Sequence, residues 1–181
     1  MGLKNSRNLL EERIETERLF LLPISMKYKE DIFREFTSDI TTFMYPAPAK
    51  HISETEDFIN DSLKGLKENN CLQLVIVDKK SYEFLGCVGL HKIDTKNPEM
   101  GIWLKLQAHG LGYGREAVFA IKDWVDQNLD YDYLVYPAAD KNIASRKIPE
   151  FLGAKVGREY DEVNMEGNKH HYLEYRIYSK N

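Results

Sequence analysis

Cysteine is scarce in this chain. Cys71 and Cys87 are the 2 among 181 residues, both stand in apolar runs, and they form no CxxC pair. A disulfide framework and a dithiol redox motif are thereby excluded, and buried free thiols in a reducing cytoplasm are expected. Long apolar runs are missing as well. No stretch approaches the roughly 20 residues of a membrane span, and Met1 to Arg13 is charged with no apolar h-region, so neither an anchor nor a signal peptide is expected. Positive charge is not in excess: Lys plus Arg is 25 against 29 Asp plus Glu, a net charge of −4. That balance argues against a nucleic-acid or anionic-membrane partner and does not repel a cationic substrate such as an amine. Internal repeats and low-complexity segments are absent, and no metal-ligand set is expected. No Gly-Lys-Ser/Thr follows the glycines, which excludes a Walker A phosphate loop.

What remains is a chain of 43% hydrophobic residues, long enough for one domain with its own core. Residues 1–14 read as an N-terminal extension with a loose helical turn at Leu9 to Ile14, and residues 15–181 as the domain. Arg18 to Pro23 reads as a first strand, Lys27 to Phe36 as a helix, and Tyr45-Pro-Ala-Pro-Ala as a rigid loop. Ser53 is the expected N-cap of the next helix, with Glu56 at its capping-box position. Leu72 to Val77, Phe84 to His91 and Glu99 to Leu104 read as strands. A helix from about Gly112 to Gln127 buries Val118, Ile121, Trp124 or Val125, and Leu129. Tyr133 to Pro137 is a strand, Ile143 to Leu152 a short helix ended by Gly153, and Ala154 to Val163 with His170 to Tyr178 a closing antiparallel pair. This order implies an α/β fold with helices on both faces of a mixed sheet. A right-handed crossover should set Glu99–Leu104 parallel to Tyr133–Pro137.

Three of the eleven glycines fall between Gly110 and Gly114, at the joint between a strand and a helix. Lacking Cβ, such a segment turns tightly and brings backbone N–H groups close to a ligand. The helix N-terminus adds its orphan donors and about half a unit of positive charge, which together make an anion site. A plain tight turn uses the same residues. The spacing GxGxG is not the dinucleotide fingerprint GxGxxG.

Gln107-x-x-Gly110-x-Gly112 resembles the CoA-binding signature of the GNAT N-acetyltransferases, and Gly110-Leu-Gly-Tyr-Gly-Arg-Glu-Ala117 resembles their RimJ/RimL-like branch. Glu15-Thr-Glu-Arg-Leu19, Phe84-Leu-Gly-Cys-Val-Gly-Leu90, Glu99-Met-Gly-Ile-Trp103 and Asn142-x-x-Ser145-Arg146 with Phe151-Leu-Gly-Ala154 match further segments of that branch in order, over about residues 15 to 178. The resemblance implies a single domain with a central sheet of six to seven strands, mixed antiparallel and parallel, flanked by about four helices. The strands near Glu99–Leu104 and Tyr133–Ala138 then splay around the pantetheine of acetyl-CoA. The expected cofactor residues are Trp103, Leu104, Gln107, His109, Gly110, Leu111, Gly112, Tyr113, Gly114, Arg115, Asn142 and Ser145.

Acyl transfer to an amine needs a proton acceptor, because an alkylammonium pKa sits near 10. Glu99 is the first candidate, directly or through water, and an ordinary strand-end carboxylate would look the same. His91, closing the neighbouring strand, is the second; its usual pKa of about 6.5 suits the task. Ser145 is the candidate to assist the leaving thiolate, as the resemblance implies, and equally a first-turn serine bonding backbone. Asn142 suits a cofactor anchor, a helix N-cap, or both. Many relatives carry an acidic tyrosine where this chain has Pro149, so a tyrosine acid cannot act from that position, and Ala154 replaces their usual phenylalanine. Phe43, Tyr45, Trp103 and the His170–Tyr175 strand are expected to recognise the acceptor, while His170 and His171 themselves are expected on the hairpin surface. The reaction expected is acetyl transfer from acetyl-CoA to a primary amine, either a protein N-terminal α-amine or a small molecule, by a monomer or homodimer. A non-catalytic acyl-CoA-binding domain and a different nucleotide-phosphate binder remain alternatives.

Overall fold

Residues 2–179 are described by a computed structural model, in which one sheet orders the whole chain. Its strands are β1 (Ile14–Glu15), β2 (Leu19–Pro23), β3 (Cys71–Asp78), β4 (Phe84–His91), β5 (Glu99–Leu104), β6 (Tyr133–Ala139), β7 (Lys155–Val163) and β8 (Lys169–Tyr178), in the spatial order β1-β2-β3-β4-β5-β6-β8-β7. The two-residue β1 brings the count to eight. It exists because Ile14 and Glu15 pair with Leu21 and Phe20 across the turn of β2. Five α-helices pack on the sheet: α1 (Lys29–Glu35), α2 (Ser38–Thr41), α3 (Ile52–Glu68), α4 (Tyr113–Asn128) and α5 (Ile143–Phe151). No helix among the described residues is long and apolar enough to cross a membrane.

β3 and β4 carry near-continuous apolar runs, because helices or loops cover both of their faces. Leu72, Leu74, Val75, Ile76, Val88 and Leu90 are fully buried. The α4 stripe is buried as its spacing predicts, and both Trp124 and Val125 point inward. Packing around this helix, not the sequence period, settles that pair. The segment before β1 belongs to the same core: Leu9 is fully buried, and Leu3 bridges Leu129.

One expected cap is corrected. α3 begins at Ile52, so its N-cap is His51, which contributes no side-chain bond, and Ser53 lies inside the first turn. Glu54 instead reaches back to accept from the Lys50 N–H at 3.1 Å, and Glu56 pairs with Lys29 at 2.8 Å. Tertiary pairing with α1 thus takes the carboxylate that a local capping box would have used.

Lys122 on α4 is 1% exposed and held by Asp126 one turn later at 2.5 Å. The Tyr131 hydroxyl donates to the second oxygen of Asp126. A buried ammonium is tolerable only while its counter-charge is present, and removing one partner of such a pair costs about 3–5 kcal/mol. Asp126→Ala should therefore destabilise the fold by about 3 kcal/mol, read as a lower urea midpoint with an unchanged slope.

Candidate active site

The sheet parts between β5 and β6. These strands run parallel, as the crossover predicts, yet only Glu99 and Val135 stand in register. The pairing begins before β5, where Asp132 N–H donates to the Lys96 carbonyl and Val135 N–H to that of Pro98, each at 2.8 Å. Beyond that point β6 pairs along its length with β8 instead. The far halves of β5 and β6 therefore face each other with backbone groups that lack ladder partners. Such groups call for a ligand with complementary donors and acceptors.

At the carboxyl end of β5 the chain makes a turn at Leu106–Ala108, then enters α4 through Gly110 and Gly112, at φ +74° and +82°. Both values lie in the left-handed region that favours glycine. Gly112 is the N-cap and has no side-chain capping bond, so the first N–H groups of α4 stay open. A Cβ at Gly110 would meet nothing within 4 Å. At Gly114 a Cβ would lie 3.4 Å from Ile148 and 3.5 Å from Leu104, so this glycine sits close against α5 and β5.

Arg18 of the 16–18 turn fixes the loop from outside. Its Nη1 donates to the Leu111 carbonyl at 2.9 Å, and its guanidinium lies 4.4 Å from the centre of the Tyr113 ring. Its Nε and backbone N–H donate to Glu116 at 2.7 and 2.8 Å, and the Thr16 hydroxyl donates to the same carboxylate at 2.6 Å. Burial pushes the Glu116 pKa up, but these bonds outweigh it and hold the group below the ordinary carboxylate range. The His109 ring bonds the Leu104 carbonyl at 2.8 Å, so in this conformation it braces the loop. The Tyr113 side chain lies under Arg18 and reaches Asp78, leaving its backbone amide for the loop.

A cavity of about 530 Å³ opens on the parted strands. Glu99, Trp103, His91, Asn142 and Ser145 line it, with Phe43, Tyr45 and Tyr172 among its aromatic walls, so strand pairing brings both expected base candidates and the thiolate candidate to one space. Gln107 to Gly114 lie outside that lining, at the end of β5. Asn142 is the N-cap of α5, its Oδ1 accepting from Ser145 N–H at 3.2 Å. Ser145 Oγ is 3.0 Å from the Tyr136 hydroxyl, a partner that nothing in the local sequence indicates. Tyr136 is 2% exposed, and burial pushes its pKa up to about 12, so its hydroxyl is protonated near neutral pH. Pro149 lies within α5, which continues to Phe151.

Glu99 and His91 are direct cross-strand partners, and Glu99 also pairs with Lys92 at 3.2 Å. Although His91 ends its strand at the surface, the cavity wall desolvates its ring and lowers its pKa, against the opposing pull of Glu99. A neutral imidazole accepts protons. His171 is exposed between Asp161 and Glu159 as expected, whereas His170 is half-buried edge-on against Phe43 and Tyr172, its Nε2 without a partner. The folding of residues 43–45 over the hairpin covers it. Among the described residues no group of three or more His, Cys, Asp or Glu could hold a metal ion.

Residues 18–155 match the acetyltransferase (GNAT) domain family. The fold resembles that of RimL, a ribosomal L7/L12 α-N-protein acetyltransferase solved with coenzyme A, with a TM-score of 0.83 at 15% identity over 93% of this chain and 98% of that one. It also resembles a spermidine N-acetyltransferase from Vibrio cholerae solved with CoA and spermine (TM-score 0.79, 18% identity, 91% and 97% covered). A GCN5-related N-acetyltransferase from Brucella melitensis gives a TM-score of 0.78 at 19% identity over 98% and 81%. No curated protein matches the chain in sequence.

The opposed influences on His91 yield a signed expectation. Its imidazole should titrate below 6.5, and Glu99→Gln should lower the midpoint further, because the lost carboxylate favoured the imidazolium. NMR titration of the ring protons checks both; a midpoint that rises in the variant would refute the coupling.

Proposed function

The chain belongs to the GNAT acetyltransferase family, and from that premise we propose that it transfers the acetyl group of acetyl-CoA to a primary amine, by direct attack within a ternary complex. The parted strands β5 and β6 are the observation that carries this reading. One registered pair followed by divergence leaves strand backbone that the two amides of pantetheine suit. The open amides of the loop ahead of α4, with the partial positive charge of that 16-residue helix, suit a pyrophosphate. Bound acetyl-CoA supplies an acyl carbon activated as a thioester.

The remaining chemistry belongs to the chain's own groups. Glu99, or His91 beside it, takes the proton that the amine must lose, directly or through a water molecule. A backbone N–H freed along β5 and left unpaired by pantetheine would stabilise negative charge on the acyl oxygen. Ser145 donates its hydroxyl proton toward the departing sulfur, and the protonated Tyr136 hydroxyl, 3.0 Å behind it, is placed to replace that proton. This arrangement fills from β6 the role that Pro149 cannot fill from α5. Acceptors named for similar structures, a ribosomal protein and spermidine, mark the two kinds of amine open to this chain.

Two measurements test the reading. Gly112→Ala should cost about 1–2 kcal/mol of loop geometry and weaken CoA binding by roughly 5- to 30-fold in calorimetry; unchanged affinity would remove the loop from the cofactor site. Glu99→Gln should lower kcat about 100-fold or more in a thiol-release assay, and a wild-type kcat at every pH would exclude Glu99 as the base. Tight CoA binding with no thiol release from any amine would favour a non-catalytic acyl-CoA-binding domain.

A further inference from the structure

The register of three strands builds a trough across the cavity floor. Gln73 on β3 stands opposite Gly89 on β4, which stands opposite Gly101 on β5. Residues paired in this way share one face of the sheet. The flanking rows on that face are Cys87 with Trp103 on one side and His91 with Glu99 on the other. Side chains therefore wall the trough on both sides; its floor is bare over Gly101, while Gln73 Oε1 and His91 Nε2 stand over Gly89. The trough begins at β5, beside the parting from β6, where Gly101 is exposed and a Cβ would meet nothing within 4 Å. It ends at Gln73, which is 5% exposed.

The Gln73 amide is poised over this floor. A Cβ on Gly89 would lie 2.4 Å from Gln73 Oε1. That oxygen therefore stands above Gly89, about one strand spacing (~4.8 Å) from Gly101. The amide's Nε2 donates to the Val88 carbonyl at 3.4 Å, which orients Oε1 as the free acceptor, with no protein donor to it among the described residues. Gln73 lines the cavity, so a ligand there can donate to this oxygen.

Resting on the transferase reading above, we propose that this trough is the acceptor subsite. Its substrate class is a compact primary amine with a slender apolar body and a neutral hydrogen-bond donor, such as a hydroxyl, at its far end. The reacting amine lies at the β5–β6 parting beside Glu99, the body lies over Gly101, and the distal group donates to Gln73 Oε1 where it stands above Gly89. A distal ammonium is disfavoured, because the neutral amide does not compensate its desolvation. An unbranched acyl chain in the trough would leave Oε1 unpaired.

The test compares pentylamine, 5-aminopentan-1-ol and 1,5-diaminopentane as acceptors, followed by thiol release from acetyl-CoA. In the wild-type protein the amino alcohol should exceed both others in kcat/KM by about tenfold, and Gln73→Leu should bring it within twofold of pentylamine while the KM for acetyl-CoA stays within twofold. Gly101→Val, whose Cβ enters open space, should raise the KM for the amino alcohol about tenfold and keeps the test open if Gln73→Leu does not fold. A diamine or plain amine that matches the amino alcohol in the wild-type protein would overturn the proposal. So would a preference that survives Gln73→Leu, an unchanged KM in Gly101→Val, or hexanoyl-CoA used as well as acetyl-CoA. Those failures leave amine acetylation standing; absence of thiol release with every amine would overturn the transferase reading itself, and this subsite with it.

Discussion

The parting of β5 from β6 is the constraint on which the rest of this molecule turns. A parallel pair held at Glu99 and Val135 alone would be an unstable edge in an ordinary sheet. Here it persists because each strand is anchored on its other side, β5 by six registered residues of β4 and β6 by seven of β8. The gap is thus paid for by two complete ladders. It places the unpaired backbone, the carboxylate of Glu99 and the Tyr136–Ser145 pair around a single opening.

The glycine loop is subordinate to that opening. Its conformation depends on left-handed residues, and such residues hold a geometry only if something fixes them. Arg18 performs this task by tying the Leu111 carbonyl, the Tyr113 ring and the Glu116 carboxylate into one cluster with the turn before β2. The loop's outward amides are free for an anion because its inward groups are already spoken for. Order in the glycine loop is thereby shared with the turn between β1 and β2.

What was readable in the sequence follows from how local each feature is. The bounds of β4 and β5 match the patterns at Phe84–His91 and Glu99–Leu104 residue for residue, since alternation and turn residues are local signals. The left-handed turn ahead of α4 shows in its glycine spacing for the same reason. Ser53 misleads as a cap because α3 begins one residue before it, at Ile52, and its capping-box partner Glu56 is recruited by Lys29, 27 positions away. Arg18, Tyr136 and Gln73 were silent. Each acquires its role from a partner brought close by strand pairing or helix docking, and a single sequence does not print its register. Glu99 and His91 were proposed separately, and their direct pairing across β4 and β5 is a property of the fold.

The aligned row Gln73, Gly89 and Gly101 also has an evolutionary aspect. Its neighbours along each strand are bulky: Leu72 and Leu74 on β3, Val88 and Leu90 on β4, Met100 and Ile102 on β5. Because side chains alternate between faces, a slip of one residue in any of these strands would swing a large apolar group onto the bared floor. The exposed turn at Lys79–Glu83, which joins β3 to β4, is where insertions are most readily absorbed. A length change absorbed there leaves the row intact, whereas one that shifts the register fills the floor and also reaches the glycine loop, because Tyr113 bonds Asp78 beside that turn. One short turn thus bears on both the row of glycines and the loop ahead of α4.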